Sequence, residues 1–576
     1  MNMMMKYDKP ISPLLLTDFY KICHRPLYKD GTEQLVLYWT PRKSRIEGVD
    51  KVVMIGLQLM LKKYFIDYFN IFFFNEKWEN IYNDFTMTIG PAMSFEIAED
   101  EIAAFKELWE LGYLPIEINA IEEGKLVPIG CPMIEYRITN KRFFWLDNYF
   151  ETLMSVNLWF PMTTATIAYN IRTNVVNPWY DKTVDDDVPR SSACGDFSMR
   201  GMTSPESAAM GDLGHALSFS STATVPTIHL LRQFYHGKGT ELRGVPSSEH
   251  SVAESYGPEN ELEYFEHIIE TIPNGPLSIV SDTWDIWNVL TNYMPKLKDK
   301  IMARNGRVVI RPDSGDPADI ICGTLDKMNY QIIEGLTEDG IRKYVEKIGN
   351  SGCYKSADFR FRIGDYLYDV NVDYAWVDDD ECSMGGYYTE EIEDFEVVKS
   401  EITCEMRGVI HLLDNVCGHT INSKGYKVLD SHFGIIYGDA ITFTKAKEIY
   451  ERLAKMGWAS NNVILGIGSY TYQYVTRDSL GFALKVTDGI INGVEKPMFK
   501  DPITDRKAGG ESFKKSQKGL YYVIEDENGN LSYTDGWNEQ TIPKTGNMLK
   551  PVFRNGELLR DFTIEEIRNT LHKGKF

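Results

Sequence analysis

Leu277-Ser-Ile-Val-Ser-Asp282-Thr-Trp-Asp285, Arg307-Val-Val-Ile-Arg311-Pro-Asp313-Ser-Gly-Asp316 and Gly434-Ile-Ile-Tyr-Gly438-Asp439 share one pattern. Each is a short continuous apolar run that stops at an Asp or Arg and gives way to a helical pattern or a turn. A buried parallel strand reads this way, because both its faces are covered and its polar groups collect at its carboxyl end. In a barrel those ends carry the chemistry, so function is expected where the three converge.

Outward from these runs, strands and helices alternate over residues 161–481. Ser204-Pro205-Glu206 announces one helix, with a capping serine, proline at the first helical position and an acid in the first turn. A second spans 260–271, with Leu262, Phe265, Ile268 and Ile269 on one face, and a third spans 444–456 and stops at Gly457. Repeated strand and helix imply a parallel sheet or barrel, an α/β class. Residues 1–160 mix aromatic-rich strands such as Leu35-Val-Leu-Tyr-Trp39 with helices such as Ala103 to Leu111, an α+β layer. The stretch 482–576 is strand-like and turn-rich and is expected to return and complete that layer.

The alternation lapses between about 340 and 420, which reads as an inserted subdomain. Asp378-Asp-Asp-Glu-Cys382 and Glu390-Glu-Ile-Glu-Asp-Phe395 make it strongly acidic, and it holds four of the eight cysteines together with His411 and His419. Zinc is one reading. Only Cys417-Gly-His419 is local, however, and the spacing fits no structural-zinc pattern, so a solvated acidic lobe is the plainer reading.

Composition bounds the remainder. A chain of 576 residues exceeds one ordinary core, so two domains or a barrel with a second layer are expected. The 61 Lys+Arg against 83 Asp+Glu give a formal charge of -22, which argues against a nucleic-acid surface and leaves an anionic ligand dependent on a local basic pocket. The cysteines lack CxxC spacing, pointing to reduced thiols and a cytoplasmic setting. No signal pattern opens the chain. The apolar stretch from Tyr64 to Phe74 is too short for a membrane span.

Asp282, Asp285, Asp313 and Asp439 are carboxylates at predicted strand ends, suited to acid-base work, hydroxyl recognition or magnesium, and equally suited to capping the next helix. Gly466-Ile-Gly468-Ser469 follows the apolar run Asn462-Val-Ile-Leu465, so a phosphate can approach backbone N–H groups there. Arg477, Lys485, Lys500 and Lys507 are a basic set in an acidic chain, a polyanion site or ordinary surface charge. His250 follows Glu249 in Val245-Pro-Ser-Ser-Glu-His-Ser251, a turn ahead of a helix, where it suits a base or a phosphate-accepting nucleophile as well as an incidental loop residue.

These motifs and others occur in order. Leu16-Thr-Asp18-Phe-Tyr20-Lys21, Phe197-Ser-Met-Arg200-Gly, the His250 turn, Val280-Ser-Asp282-Thr-Trp-Asp285, Ile310-Arg311-Pro-Asp313-Ser-Gly-Asp-Pro317, Asn422-Ser-Lys-Gly-Tyr-Lys427, Gly438-Asp439 and Phe499-Lys500-Asp-Pro502 resemble the successive signatures of the nicotinamide phosphoribosyltransferases, of the type II phosphoribosyltransferase kind. The resemblance spans nearly the whole chain apart from the acidic insertion.

It implies an irregular (β/α) barrel with an α+β sheet domain built from both termini. It implies transfer of phosphoribose from phosphoribosyl pyrophosphate to nicotinamide, with Mg²⁺ brought by the pyrophosphate and ATP as co-substrate, in cytoplasmic NAD salvage. Cleavage at the anomeric carbon builds charge on the departing pyrophosphate, which suits cations there. By position, Phe197 and Arg311 sandwich the pyridine, and Tyr20 closes the site from the other subunit of a homodimer with shared active sites. Asp313 and Gly438-Asp439 hold the ribose. Arg200, Arg477, Lys485, Lys500, Lys507 and Arg42, with the Gly468-Ser469 loop, surround phosphate. His250 is the residue phosphorylated by ATP, oriented by Glu249, Asp282 and Asp313.

Two positions depart from the family pattern. Ala223 stands where the family has an aspartate that accepts from the substrate amide, which opens nicotinate or relaxed pyridine specificity. Ser469 and Tyr470 replace a glycine run, so Tyr470 must point away or reshape the loop. A non-catalytic pyridine-nucleotide binder has no need of His250, and a carbohydrate-cleaving barrel has no need of the lysines.

Overall fold

The computed structural model describes residues 10–93, 97–349, 355–377, 387–438, 441–502 and 516–576. The chain forms two compact units, one of Met1–Pro178, Asp187–Val245 and Gly466–Phe576, the other of Trp179–Asp186 and Pro246–Leu465.

In the first unit the strand Thr32–Pro41 is buried from Leu35 to Pro41, as its β-branched and aromatic residues require. It lies centrally in a seven-stranded antiparallel sheet, ordered Val494–Pro497, Phe482–Ile491, Thr32–Pro41, Ile134–Ile138, Ile116–Ala120, Lys550–Arg554 and Glu557–Leu558. Strands from the carboxy-terminal stretch thus flank the amino-terminal ones on both sides. Trp39 stacks on Phe482 with ring centroids 5.2 Å apart, and its indole N–H points at the Met162 sulfur of the buried helix Glu151–Ile171. The same unit holds a short parallel pair, Cys194–Asp196 with Ser221–Thr222.

The second unit contains the three runs that open the sequence argument. Leu277–Val280, Val308–Arg311 and Phe433–Tyr437 are neighbouring parallel strands, and Val463–Leu465 pairs on the far side of Phe433–Tyr437. Leu277 lies opposite Val308 and Val308 opposite Phe433, so the carboxyl ends of the three fall side by side. Their residues are almost entirely buried, which is why each reads as a continuous apolar run. Helices Glu261–Thr271, Met294–Met302, Pro317–Cys322 and Phe443–Lys455 occupy the crossovers. Among the described residues no helix is long and apolar enough to cross a membrane.

The insertion is more ordered than an acidic lobe. Helix Ile341–Gly349 packs on an antiparallel meander, Ser356–Ile363, Tyr366–Val377 and Tyr387–Glu401. Alternate residues of the middle strand (Tyr368, Val370, Val372 and Tyr374) join Ile341, Val345 and Phe361 in a separate core. The run Asp378 to Cys382, with Cys353, lies outside the described residues. His419 pairs with Asp414 at 2.6 Å, Cys417 Sγ donates to the Gly418 carbonyl, and the His411 ring packs on Trp458. No group of three metal-ligating side chains forms among the described residues.

Two glycines mark where the insertion leaves and rejoins. Gly323 follows helix Pro317–Cys322, and Gly408 interrupts helix Cys404–Cys417 with φ 73°. A Cβ on Gly323 would lie 2.2 Å from the Met406 carbonyl oxygen, and one on Gly408 would lie 2.1 Å from the Gly323 nitrogen. Exit and re-entry therefore touch, and both positions require glycine. Deleting 324–407 and joining Gly323 to Gly408 is expected to leave a cooperative melting transition and an intact parallel sheet; circular dichroism and a thermal melt check this, and an aggregated or non-cooperative product would show the insertion to be integral.

Candidate active site

At the end of the first strand of the second unit, Asp282 does not cap a helix. Its Oδ2 accepts the backbone N–H of Asp313 at 3.0 Å and the Ser314 hydroxyl at 2.6 Å, tying the first strand end to the second. Its Oδ1 is buried with no hydrogen-bond partner among the described residues. Asp285 is a cap: its carboxylate accepts from the N–H groups of Trp287 and Asn288. Tyr437, at the end of the third strand, donates to the carbonyls of Ser314 and Gly315 at 2.8 and 2.9 Å, clamping the turn that bears Asp313. Gly438 follows directly; Asp439 lies outside the described residues. A pocket of about 220 Å³ opens beside these ends, lined by Asp282, Trp284, Asp285, Trp287, Pro312 and Ser314 among others.

The His250 turn is stitched to the same strand. Ser278 N–H donates to the Pro246 carbonyl, Ser248 N–H to the Ser278 carbonyl, and Val280 N–H to Ser248 Oγ at 3.0 Å. This delivers His250 to the start of the short helix His250–Glu254. Its Nδ1 lies 3.0 Å from the Thr283 hydroxyl and its Nε2 3.7 Å from Asp313 Oδ2. The hydroxyl donates or accepts according to tautomer, and the carboxylate faces the second ring nitrogen. Glu249 takes the Ser251 hydroxyl at 2.6 Å and leaves the imidazole to Thr283 and Asp313. Arg311 donates through Nη2 to the Ser248 carbonyl at 2.8 Å, and its Nε is buried without a partner among the described residues. His250, Asp282, Arg311 and Asp313 are therefore one constellation.

In the first unit, Phe197 leaves the strand Cys194–Asp196 with its N–H on the Ile467 carbonyl. Ala223 donates its N–H to the Asp196 carbonyl at 2.8 Å, and the Ala223 methyl is exposed. Arg200 is exposed on the turn Met199–Gly201, whose glycine touches the phosphate-loop candidate: a Cβ there would meet Ser469 Oγ at 2.0 Å. Gly468 precedes the short helix Ser469–Gln473, and Tyr470 points away, 64% exposed and stacked on Tyr474 at 5.5 Å.

Lys485 lies opposite Tyr38 in the sheet and 3.5 Å from Glu151, which also holds the buried Lys21 at 2.6 Å. Tyr20 is exposed, and its hydroxyl is pushed up by partial burial and by the carboxylates of Asp18 and Glu151, with Arg477 opposing. The Arg42 N–H meets the Gly481 carbonyl, just ahead of the strand that bears Lys485. Lys500 is exposed and separate, its backbone held by Ser516, and Lys507 lies outside the described residues.

Sequence reasoning passed over Ser248, Thr283, Ser314, Asp196 and Asp212. Thr283 and Ser314 sit beside residues already chosen; Asp212 carries no local signal.

The nicotinate phosphoribosyltransferase (NAPRTase) family model matches residues 192–357 and 393–563, leaving out a stretch inside the inserted sheet. The model of the nicotinamide phosphoribosyltransferase N-terminal domain matches residues 12–84. The chain is 35% identical to the nicotinamide phosphoribosyltransferase of Acinetobacter baylyi, covering 97% of each chain. It is 28% identical to that of Xanthomonas campestris, over 96% of this chain and 97% of the other. The crystal structure of human nicotinic acid phosphoribosyltransferase aligns at 13% identity and TM-score 0.49, over 97% of this chain and 93% of that one. A matching family model over most of the chain and a full-length relative at this identity place the chain in the nicotinate phosphoribosyltransferase family, among its nicotinamide phosphoribosyltransferases.

Proposed function

We propose that this enzyme transfers the phosphoribosyl group of phosphoribosyl pyrophosphate to nicotinamide, giving nicotinamide mononucleotide and pyrophosphate for NAD salvage, and that ATP stimulates the transfer through a phosphohistidine at His250. The observation that carries the reading is the imidazole between the Thr283 hydroxyl and Asp313, at strand ends cross-linked by Asp282. A neutral imidazole nitrogen attacks the γ-phosphorus of ATP and ADP leaves; the cationic phosphoimidazole is stabilised by Asp313. Asp313 and the Gly438 turn orient the ribose. Phe197 and Arg311 hold the pyridine as a neutral ring is best held, by stacking. The exposed cations Arg42, Arg200, Arg477, Lys485 and Lys500, with Lys507, serve the phosphates, and Tyr20 closes the site of the other subunit in a cytoplasmic homodimer.

The buried oxygen of Asp282, which has no hydrogen-bond partner among the described residues, would suit Mg²⁺ or its water as a ligand, and the ion would offset the charge of the pyrophosphate. A second reading, nicotinate as the base, rests on Ala223, which offers no carboxylate to an amide. The test supplies phosphoribosyl pyrophosphate and Mg²⁺ with nicotinamide, nicotinate or quinolinate, with and without ATP, and measures pyrophosphate and mononucleotide. Product from nicotinamide, increased by ATP, is expected; no product from any base would end the enzymatic reading.

A further inference from the structure

The carboxylate missing at position 223 has a counterpart one layer down. Asp196 and Asp212 are fully buried, one ending the strand before Phe197, the other on helix Pro205–Ala216. They grip the two threonines that flank Ala223: Thr222 Oγ1 donates to Asp212 Oδ2 at 2.7 Å, and Thr224 Oγ1 to Asp196 Oδ2 at 2.5 Å. The Thr224 N–H closes onto Thr222 Oγ1 at 2.8 Å, and the Ala223 N–H onto the Asp196 carbonyl. The second oxygen of Asp212 is buried, and the Thr227 hydroxyl opposes the upward push on this carboxyl. Neither carboxylate has an ion-pair partner within the described residues. Arg568, whose charge opposes the upward push on Asp212, spends its donors on the carbonyls of Ala216, Phe219 and Glu241.

Two buried carboxyls that feel each other's charge resist ionising together, so the pair favours one negative charge over two. Burial pushes Asp196 up to about 6 and, with the Asp196 charge added, pushes Asp212 well above the carboxylate range. A buried charge without a direct ion-pair partner acts over several ångströms with little screening. Two threonines are an unnecessary investment for a loop that only has to end a strand.

We propose that the single negative charge of the Asp196–Asp212 pair, fixed behind Ala223 by Thr222 and Thr224, is the specificity-determining group of this enzyme, admitting the neutral carboxamide of nicotinamide and repelling the carboxylate of nicotinate. This rests on the reading of Phe197 and Ala223 as pyridine-binding. The pair discriminates by charge alone, without a hydrogen bond to the amide, because no side-chain acceptor is present at 223.

The charged and titratable groups facing the pair from the neighbouring elements are Cys194, His215, Tyr472 and Arg568. Burial lowers His215 to about 3 and Arg568 to about 10, and raises Cys194 and Tyr472, so across the working range Asp196 is the one member of this group that titrates.

The test is the ratio of kcat/KM for nicotinate to that for nicotinamide, in which effects common to both bases cancel. In the parent enzyme the ratio is expected to rise several-fold as pH falls from about 8 to about 5.5, where Asp196 gains its proton while nicotinate stays ionised. Asp196→Asn is expected to raise the ratio on the order of ten-fold and make it independent of pH; the Thr224 hydroxyl can reverse to accept from the new amide. Adding Ala223→Asp to Asp196→Asn is expected to lower the ratio again. Product from both bases with a ratio that moves neither with pH nor in a folded Asp196→Asn enzyme overturns this inference and leaves the proposed transfer standing. No product from either base overturns both.

Discussion

Replacing His250 by alanine is expected to leave slow phosphoribosyl transfer intact while removing its stimulation by ATP. The ring is held at one nitrogen by Thr283 and faced at the other by Asp313, and alanine supplies neither a phosphoryl acceptor nor a partner for that carboxylate. The half-buried ring contributes little to packing, so the melting temperature is expected to stay near the parent value. With ATP present, mononucleotide formation falls ~10²-fold, the scale set by losing a positioned nucleophile or base. Without ATP, variant and parent converge. A variant still stimulated as the parent is would remove His250 from the phosphoryl step. Mass spectrometry after brief incubation with ATP gives an independent reading, since the phosphoryl adduct should appear on the parent and be missing from the variant.

Asp313→Asn is expected to have the larger effect on transfer itself. The change keeps the backbone N–H that Asp282 accepts and the turn that Tyr437 clamps, so the geometry of the strand ends survives. What is lost is the negative charge facing the imidazole, together with a carboxylate placed to hold ribose hydroxyls. Both matter most as positive charge develops in the transition state, so kcat/KM should fall ~10²–10³-fold with little change in melting temperature. Asp282→Asn provides the contrast: both hydrogen bonds end on one oxygen, which the amide oxygen can replace, but the NH2 then takes the place of the buried second oxygen and brings two donors with no acceptor among the described residues, so its effect should include lost stability. Equal activity losses with equal stability losses in both variants would mean that Asp313 acts only through the fold.

Much of the architecture was legible because the physical signals are local. Leu277–Val280, Val308–Arg311 and Phe433–Tyr437 are apolar throughout since parallel strands are covered on both faces, and the capping serine at 204 accepts from the Ser207 N–H at 3.1 Å as its position predicts. The insertion was legible as an inserted subdomain, but its antiparallel sheet was not. Its core residues alternate along a strand whose other face is polar, and the surrounding acids mask that alternation.

The site was legible unevenly. Asp282 and Asp285 are three residues apart at the same strand end and carry the same chemistry, yet one cross-links two strands and the other caps a helix. Sequence cannot separate them, because an aspartate between strand and helix satisfies both uses; the deciding fact is whether the next N–H groups or those of a neighbouring strand lie within reach. The replacement of a glycine by Tyr470 likewise had two outcomes on paper. The helix beginning at Ser469 turns its ring outward onto Tyr474.

What the sequence alone determined is the parallel class of the sheet, the three strand ends and, through the ordered motifs, the family, since periodicity and short motifs are carried by residues near one another in the chain. What only tertiary structure decided is which groups share a hydrogen bond or a charge: His250 with Asp313, Asp282 with Ser314, and above all Asp196 with Asp212 around Ala223. These pairs join a strand, a helix and loops far apart in the chain, and hydrogen bonds and buried charge depend on distances that folding sets.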